Sequence, residues 1–340
     1  MGSIGVLTAG GDCPGLNAAI RAVVTRITAV NRSVVGIEEG WAGLMDGRVR
    51  TMTLDEVRGV VGRGGTILGT SRRDPYVHGD GFDSIRSTID QHDIEAVVVI
   101  GGDGSLRTAA KLEREGLPIV GIPKTIDNDI AHTDVSLGFH TAVQIVVDAI
   151  DRLATTAESH NRIMVIEVMG RTTGWIATAA GLAGGAHAIL VPEVEVDYED
   201  LARRIVERHE SGPDYSVIVV AEGTPGPGGA VSATGKDQYG FTRIGGVCQA
   251  VAAEIERLTT YEARPTILGY LQRGGTPTAF DRVLGTRFGV KAAEMAIEGG
   301  SGVMVALHGE EIVPVDLAQA AAAPRALDLD AYREASWFLS

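Results

Sequence analysis

Four short segments gather acids, glycines and cations in ways that suit chemistry on phosphate groups. In Pro123-Lys124-Thr125-Ile126-Asp127-Asn128-Asp129, two carboxylates, a hydroxyl and an ammonium crowd into one turn after an apolar run. A carboxylate poised there can take the proton of an attacking hydroxyl, the general-base role in phosphoryl transfer. An Asx-turn accounts for one of the aspartates but not for the whole cluster. Gly101-Gly102-Asp103-Gly104-Ser105 pairs a backbone open to close approach with one carboxylate at a helix start. Such an acid can hold Mg²⁺ that bridges phosphates, or Asp103 and Ser105 can simply cap the helix. Thr8–Asn17 (TAGGDCPGLN) reads as a strand, a glycine turn and a helix start whose free N–H groups suit an anion. It lacks both the G-x-x-x-x-G-K-[ST] and the G-x-G-x-x-G spacing, so alone it is equally a structural turn. Glu167-Val168-Met169-Gly170-Arg171 delivers a guanidinium at a strand end, able to neutralise phosphoryl oxygens or to serve as a surface ion-pair partner.

The elements that must position these segments are legible in the Val- and Ile-rich runs Ile4–Leu7, Val34–Ile37, Ala96–Ile100, Ile119–Ile122, Arg162–Val168, Ala188–Val191 and Tyr215–Ala221. Helix-like stretches separate most of them: Leu16–Ala29, Ser105–Glu115 with a Ser N-cap and closing Gly116, Phe139–Thr156, and Asp197–Glu210 with an Asp N-cap. Continuous apolar strands alternating with helices predict an α/β fold, a parallel sheet covered on both faces. In such sheets ligands bind beyond the carboxyl ends of the strands, where all four segments lie. The Gly/Pro-rich stretch Glu222–Gly240 reads as an exposed excursion without helix or strand.

Composition bounds the function. The 340 residues, 44% hydrophobic and 22% charged, suffice for two domains. A net charge of −14 argues against nucleic acid or an anionic membrane as the main partner, so any phosphate site must be built locally. Cys13 and Cys248 stand alone, as expected of buried thiols in a reducing compartment. The start MGSIGVLTAGG lacks a basic, then apolar, leader, and no run approaches 18 apolar residues, which predicts a cytoplasmic protein. Eight histidines show no zinc-like spacing, and His160 reads as structural.

Taken together, GGDCPGLNAAIR (Gly10–Arg21), GGDGS (Gly101–Ser105), PKTIDND (Pro123–Asp129), EVMGR (Glu167–Arg171) and LGYLQRGGTP (Leu268–Pro277) resemble the phosphofructokinase family, in family order. The resemblance implies two Rossmann-like three-layer α/β/α domains with mostly parallel sheets. The phosphoryl-donor domain would be 1–138 plus about 272–322, and the sugar-phosphate domain 139–271 plus about 323–340. It implies Mg²⁺-dependent transfer to the 1-hydroxyl of fructose 6-phosphate. By the same resemblance Asp127 is the base, Arg171 steadies the transition state, Thr125 positions the reacting centre, Asp103 holds Mg²⁺, and Asp129 supports metal and base. The donor would be bound by Gly11, Arg72, Arg73, Gly102, Asp103, Gly104, Ser105 and Lys124. The sugar phosphate would meet Thr125, Asp127, Met169, Gly170, Arg171, Glu222, Tyr270 and Arg273, with Arg162 and Arg264 reaching in from a neighbouring subunit of a homotetramer.

Where the family places a histidine beside the sugar 6-phosphate, this chain has Tyr270, which donates a hydrogen bond but carries no charge near neutral pH. Donor choice turns on two positions. Family members that use pyrophosphate share Lys124 but carry Asp at the position of Gly104, where a carboxylate would repel a nucleotide's α-phosphate. Removing that clash outweighs adding a cation, so ATP is the expected donor and pyrophosphate the alternative. Thr108 is bulkier than usual near the adenine, and Trp41 is expected to offer the base an aromatic face. Of the family's basic effector pocket for ADP or phosphoenolpyruvate, Arg21 remains, while Thr25, Leu54, Ala154, Ser211 and Pro213 replace cations, so weak effector response is expected. A nicotinamide dehydrogenase should show the missing G-x-G-x-x-G fingerprint, and a non-catalytic sugar-phosphate regulator would not need Asp103, Asp127 and Arg171 together.

Overall fold

The computed structural model describes residues 2–77, 80–212, 214–236 and 242–336. Among these the strands in chain order are β1 (Ser3–Ala9), β2 (Val34–Ile37), β3 (Val49–Thr51), β4 (Ile94–Gly101), β5 (Ile119–Pro123), β6 (Ile163–Val168), β7 (Ala188–Leu190), β8 (Ser216–Ala221), β9 (Ala233–Lys236), β10 (Thr242–Ile244), β11 (Ala263–Ile267), β12 (Val303–His308) and β13 (Glu311–Asp316). The α-helices are α1 (Leu16–Thr28), α2 (Trp41–Asp46), α3 (Gly81–Gln91), α4 (Asp103–Arg114), α5 (Phe139–His160), α6 (Trp175–Ala183), α7 (Tyr198–Ser211), α8 (Val247–Thr259), α9 (Ala279–Ile297), α10 (Leu317–Ala320) and α11 (Leu329–Ser336).

The chain divides into two compact units, Met1–Thr141 with Arg273–Arg325, and Ala142–Gln272 with Ala326–Ser340. The first holds a seven-stranded sheet in the order β13-β12-β5-β4-β1-β2-β3. Its strands run parallel except β3 and β13, each antiparallel at an edge. Strands β1, β4 and β5 are buried along nearly their whole length, Glu95 of β4 excepted, because both of their faces are covered. Leu7, Val97, Val99, Leu106, Ile119 and Met304 form the centre of one core on this sheet. Removing each such side chain from water contributes roughly 1.5–3 kcal/mol.

The second unit is built on a parallel four-stranded sheet, β11-β6-β8-β7, with a core that includes Ile163, Val165, Ile218, Val220, Val251 and Ile255. Helix α7 starts as expected from Asp197, whose side chain accepts from the Asp200 N–H. The start of α4 differs from the sequence reading. Gly102 is the N-cap and Asp103 the first helical residue, so Ser105 lies inside the helix rather than capping it. The stretch read as structureless from Glu222 contains β9, which pairs antiparallel with β10; residues 237–240 lie outside the described residues. Cys13 and Cys248 are buried free thiols. Among the described residues no helix is long and apolar enough to cross a membrane.

Candidate active site

In the first unit, the ends of the adjacent strands β1, β4 and β5 bring three of the four chemical segments together. The Gly10–Gly15 turn leaves β1 with Gly10 in the left-handed region, and the Gly10 N–H donates to the Ser71 carbonyl. Thr70 Oγ1 donates to the Gly10 carbonyl at 2.6 Å, Lys124 Nζ to the Gly11 carbonyl, and Arg273 Nη1 to the Asp12 carbonyl at 3.2 Å. A Cβ on Gly11 would lie 2.7 Å from Arg273 Nη1, so any larger residue would have to displace this guanidinium. The sugar-side assignment of Arg273 thus falls, in position, on the donor-type loop. Arg72 follows Ser71 directly, whereas Arg73 donates to Asp46 at 2.8 Å.

After β4, the Gly102 carbonyl accepts from Leu106 N–H at 2.9 Å and starts α4. Asp103 sits in the first turn, where the exposed N–H groups favour negative charge. Both of its oxygens accept from Arg107 Nη2, at 2.8 and 2.6 Å. A Cβ at Gly104 would meet nothing within 4 Å, so the space over this helix start is open. Ser105 Oγ faces the Gly10 turn, 3.1 Å from where a Gly10 Cβ would stand.

After β5, the Lys124 N–H donates to the Gly101 carbonyl, tying this turn to the second. The Asp127 N–H donates to Thr125 Oγ1 at 3.1 Å, and Ser136 Oγ to the Thr125 carbonyl at 2.7 Å. Asn128, at φ 53, accepts from the Ser136 N–H at 2.9 Å, which fixes the turn between the two acids. Burial first, then the charges of Asp127 and Asp103, push the Asp129 carboxyl up to about 7. Asp129 Oδ1 is buried without a hydrogen-bond partner. A buried acceptor beside two other carboxylates is the environment that a cation relieves. Among the described residues no group of three or more His, Cys, Asp or Glu side chains could hold a metal by itself. Asp103 and Asp129 therefore fit a hard divalent cation that brings phosphate and water oxygens of its own.

In the second unit, the end of β6 carries Met169, Gly170 and Arg171 on a loop fixed at several points. Met169 N–H donates to Gln272 Oε1 at 3.1 Å, Gly223 N–H to the Gly170 carbonyl at 3.1 Å, and Gly174 N–H to Glu193 at 3.0 Å. Glu222 N–H donates to the Val168 carbonyl, placing Glu222 at the same strand ends as Met169. The Arg171 side chain belongs to an exposed residue. Glu167, only 2% exposed, accepts from the Gly246 and Cys248 N–H groups at the start of α8. Tyr270 lies on the 3₁₀ turn Gly269–Arg273 and is 78% exposed. Fully buried Gln272 joins that turn to the Met169 loop, since its Nε2 donates to the Gly269 carbonyl.

Two assigned sugar residues stand apart. Arg162 and Arg264 both pair with Glu262 at the start of β6 and β11, whereas Met169 follows the far end of β6. At about 3.3 Å per residue that separation is roughly 20 Å. Within one chain these arginines do not join the Met169–Arg171 loop. Trp41 is a correction: it is 3% exposed inside the first unit's core and offers no face to a base. Of the effector positions, Thr25, Leu54 and Ser211 are exposed, and Pro213 lies outside the described residues. Thr70, Arg107, Gln272 and Glu193 were not singled out in the sequence. Only Gln272 lay within a motif string, as the neighbour of Arg273.

The family model described as Phosphofructokinase matches residues 3–296. The chain is 48% identical over 339 residues to the ATP-dependent 6-phosphofructokinase 3 of Streptomyces coelicolor, covering 99% of each chain. It is 50% identical over 339 residues to the pyrophosphate–fructose 6-phosphate 1-phosphotransferase of Amycolatopsis methanolica, covering 98% of this chain and 99% of that one. Among solved structures, Pichia pastoris phosphofructokinase in the T-state superposes with a TM-score of 0.84 at 31% identity, over 94% of this chain and 35% of that much longer one. The chain belongs to the phosphofructokinase family.

Proposed function

We propose that the chain is a 6-phosphofructokinase that transfers the γ-phosphoryl group of ATP to the 1-hydroxyl of fructose 6-phosphate, giving fructose 1,6-bisphosphate and ADP. The observation that carries this reading is the gathering of Asp103, Asp127 and Asp129 at the ends of β4 and β5, where Asp129 Oδ1 is buried without a hydrogen-bond partner and the charges of Asp127 and Asp103 add to burial in raising its carboxyl. A cluster this repulsive suits a cation and a proton acceptor rather than packing.

Asp127 takes the proton of the sugar 1-hydroxyl while that oxygen forms its bond to the γ-phosphorus and the bond to the β–γ bridging oxygen breaks. Thr125 fixes the Asp127 backbone and so aims its carboxylate. Asp103, supported by Asp129, would hold Mg²⁺, which when bound neutralises charge on the donor phosphates. Gly11, Gly102, Gly104, Ser105, Lys124, Arg72 and Arg73 form the donor side, and the first unit is the donor domain. The second unit is the sugar domain, with Met169, Gly170, Glu222 and Tyr270 on the sugar phosphate and Arg171 on the transferring oxygens. Arg162 and Arg264, far along β6 from that loop, serve a neighbouring subunit's site in a homotetramer. Neutral Tyr270 makes the 6-phosphate less tightly held than a cation would. The enzyme works in the cytoplasm, and its rate responds weakly to ADP and phosphoenolpyruvate; a sigmoidal curve that ADP renders hyperbolic counts against this.

The open space at Gly104 favours ATP. Pyrophosphate is the second reading, favoured by Lys124 and by the name of the Amycolatopsis relative. Production of fructose 1,6-bisphosphate from fructose 6-phosphate with ATP or pyrophosphate, with and without Mg²⁺, tests both. Mg²⁺-dependent turnover with ATP is expected. Faster turnover with pyrophosphate installs the second reading, and none with either donor ends both.

A further inference from the structure

The turn that carries the two acids continues as a loop, running from Asn128 past His132, which sits at φ 60, and back to Ser136. Its two arms have to be held together. Asn128 does part of this, since its Oδ1 accepts from the Ser136 N–H at 2.9 Å and its Nδ2 donates to the Asp134 carbonyl at 3.5 Å. The far arm is fastened to β12, where the Leu307 N–H donates to Thr133 Oγ1 at 3.0 Å and the Asp134 N–H to the Leu307 carbonyl at 2.9 Å.

A further hold comes from Arg325, far along the chain. Pro324 pairs antiparallel with Ile130, and the Arg325 N–H donates to the Asp129 carbonyl at 2.7 Å. The guanidinium of the same residue reaches the other arm, where Nη1 donates to the Asp134 carbonyl at 2.5 Å and to the Thr133 carbonyl at 3.3 Å. One half-buried residue therefore spans both arms, and none of the motifs legible in the sequence contains it. Arg325 is also the last residue of the first unit. What the span serves follows from Asp129. Its Oδ1 is buried without a hydrogen-bond partner, so the aim of that oxygen is inherited from the backbone that Arg325 grips.

We infer that Arg325 is a positioning residue, which joins the Asp129 arm to the Thr133–Asp134 arm and so fixes the direction in which Asp129 faces a metal-bound phosphoryl donor. It acts through Asp129, as outer supports of metal ligands do, and not by touching the donor. This rests on the phosphotransferase reading above, in which Asp129 supports the cation beside Asp103.

The test compares the full chain with Arg325→Met, which keeps the aliphatic stem but no donor, Arg325→Lys, which still donates, and Asp134→Ala. The last removes the carboxylate that accepts from the Gly309 N–H at 2.7 Å but leaves the carbonyl that Arg325 holds. Thermal melting establishes which variants are folded; if Arg325→Met is not, Arg325→Lys carries the comparison at smaller amplitude. In ligand-free Arg325→Met the Asp127 and Ser136 amides, bonded to Thr125 Oγ1 and Asn128 Oδ1, should exchange hydrogen roughly tenfold faster, with amides of the second unit unchanged. Calorimetric binding of the β,γ-imido analogue of ATP with Mg²⁺ should weaken roughly tenfold, while binding without Mg²⁺ hardly moves. Arg325→Lys should recover part of both changes, and Asp134→Ala should melt lower without the Mg²⁺-dependent loss. Unchanged exchange at these amides, or faster exchange without a Mg²⁺-dependent loss of binding, overturns the inference and leaves the functional reading intact. A wild-type chain that does not bind the analogue with Mg²⁺ overturns the functional reading and the inference with it.

Discussion

Replacing Lys124 by methionine separates the cost of a buried ammonium from the value of what it holds. Burial pulls the Lys124 pKa from 10.5 down to about 8. At about 1.4 kcal/mol for each pH unit, the folded chain carries the charged lysine at a cost of about 3 kcal/mol near neutrality. The sign follows from counting protons. Below pH 8 the lysine is charged in both states and the full cost is present. Between 8 and 10.5 the unfolded chain keeps a proton that the folded chain has shed, so wild-type stability rises with pH. Methionine, similar in length, removes this titration but leaves the Gly11 carbonyl without its donor, which costs about 1–3 kcal/mol. The two terms nearly cancel at pH 7, so a single melting temperature discriminates poorly and the slope is the observable. Urea denaturation of both proteins from pH 7 to 10, without ligands, should show the wild-type advantage growing by about 2–3 kcal/mol. A difference that stays flat refutes the burial of a charged Lys124.

Asp127→Ser should lower kcat by roughly 10²–10⁴-fold while the dissociation constant for fructose 6-phosphate hardly moves, and a change confined to KM removes Asp127 as the base. Gly104→Asp should leave the melting temperature unchanged, because its Cβ meets nothing within 4 Å. It should raise KM for ATP far more than for pyrophosphate, and equal losses would place the discrimination elsewhere. Glu167→Gln replaces a buried carboxyl that accepts from the Gly246 and Cys248 N–H groups. It should cost about 1–2 kcal/mol and a few degrees of melting temperature, and unaltered melting would show that α8 does not need this cap.

Strands β1, β2, β4, β5, β6, β7 and β8 were legible because burial on both faces leaves little but Val, Ile, Ala and Leu. The edge strand β11 was not, since Arg264, Pro265 and Ile267 are exposed and a proline inside a run reads as a break. Pro314 and the exposed Glu311 and Asp316 hid β13 in the same way. Helix α9 was obscured by Gly285 and Gly289, which look like breakers. Both instead permit close approach to α1, where a Cβ on Gly289 would stand 2.5 Å from the Ala19 carbonyl oxygen. At the site, the acids were visible because carboxylates concentrated after apolar runs are rare in packing roles. Thr70 and Gln272 were invisible because their work is hydrogen bonding to backbone, which leaves no pattern of residue types. Trp41 misled because an aromatic near a glycine turn is as readily core as platform.

A chain with net charge −14 that is to bind polyphosphates cannot rely on its overall field, and the first unit answers this with opposed local charges. Cations stand at the glycine turn, Lys124 on the Gly11 carbonyl and Arg273 on the Asp12 carbonyl, where they raise the local potential. Acids stand at the ends of β4 and β5, where a bare donor would be repelled. Asp103 is occupied by Arg107 through an exposed pair worth about 0.2–1 kcal/mol, so little is lost when a metal displaces that guanidinium. Asp129, buried and held near 7, gains much more from the same ion. Because the described residues hold no group of three or more His, Cys, Asp or Glu side chains able to take a metal, an ion at Asp103 and Asp129 would draw further oxygens from the donor's phosphates. On the proposed reading such an arrangement would favour the metal–donor complex over either component, which would let an acidic protein select a polyanion by the cation it brings.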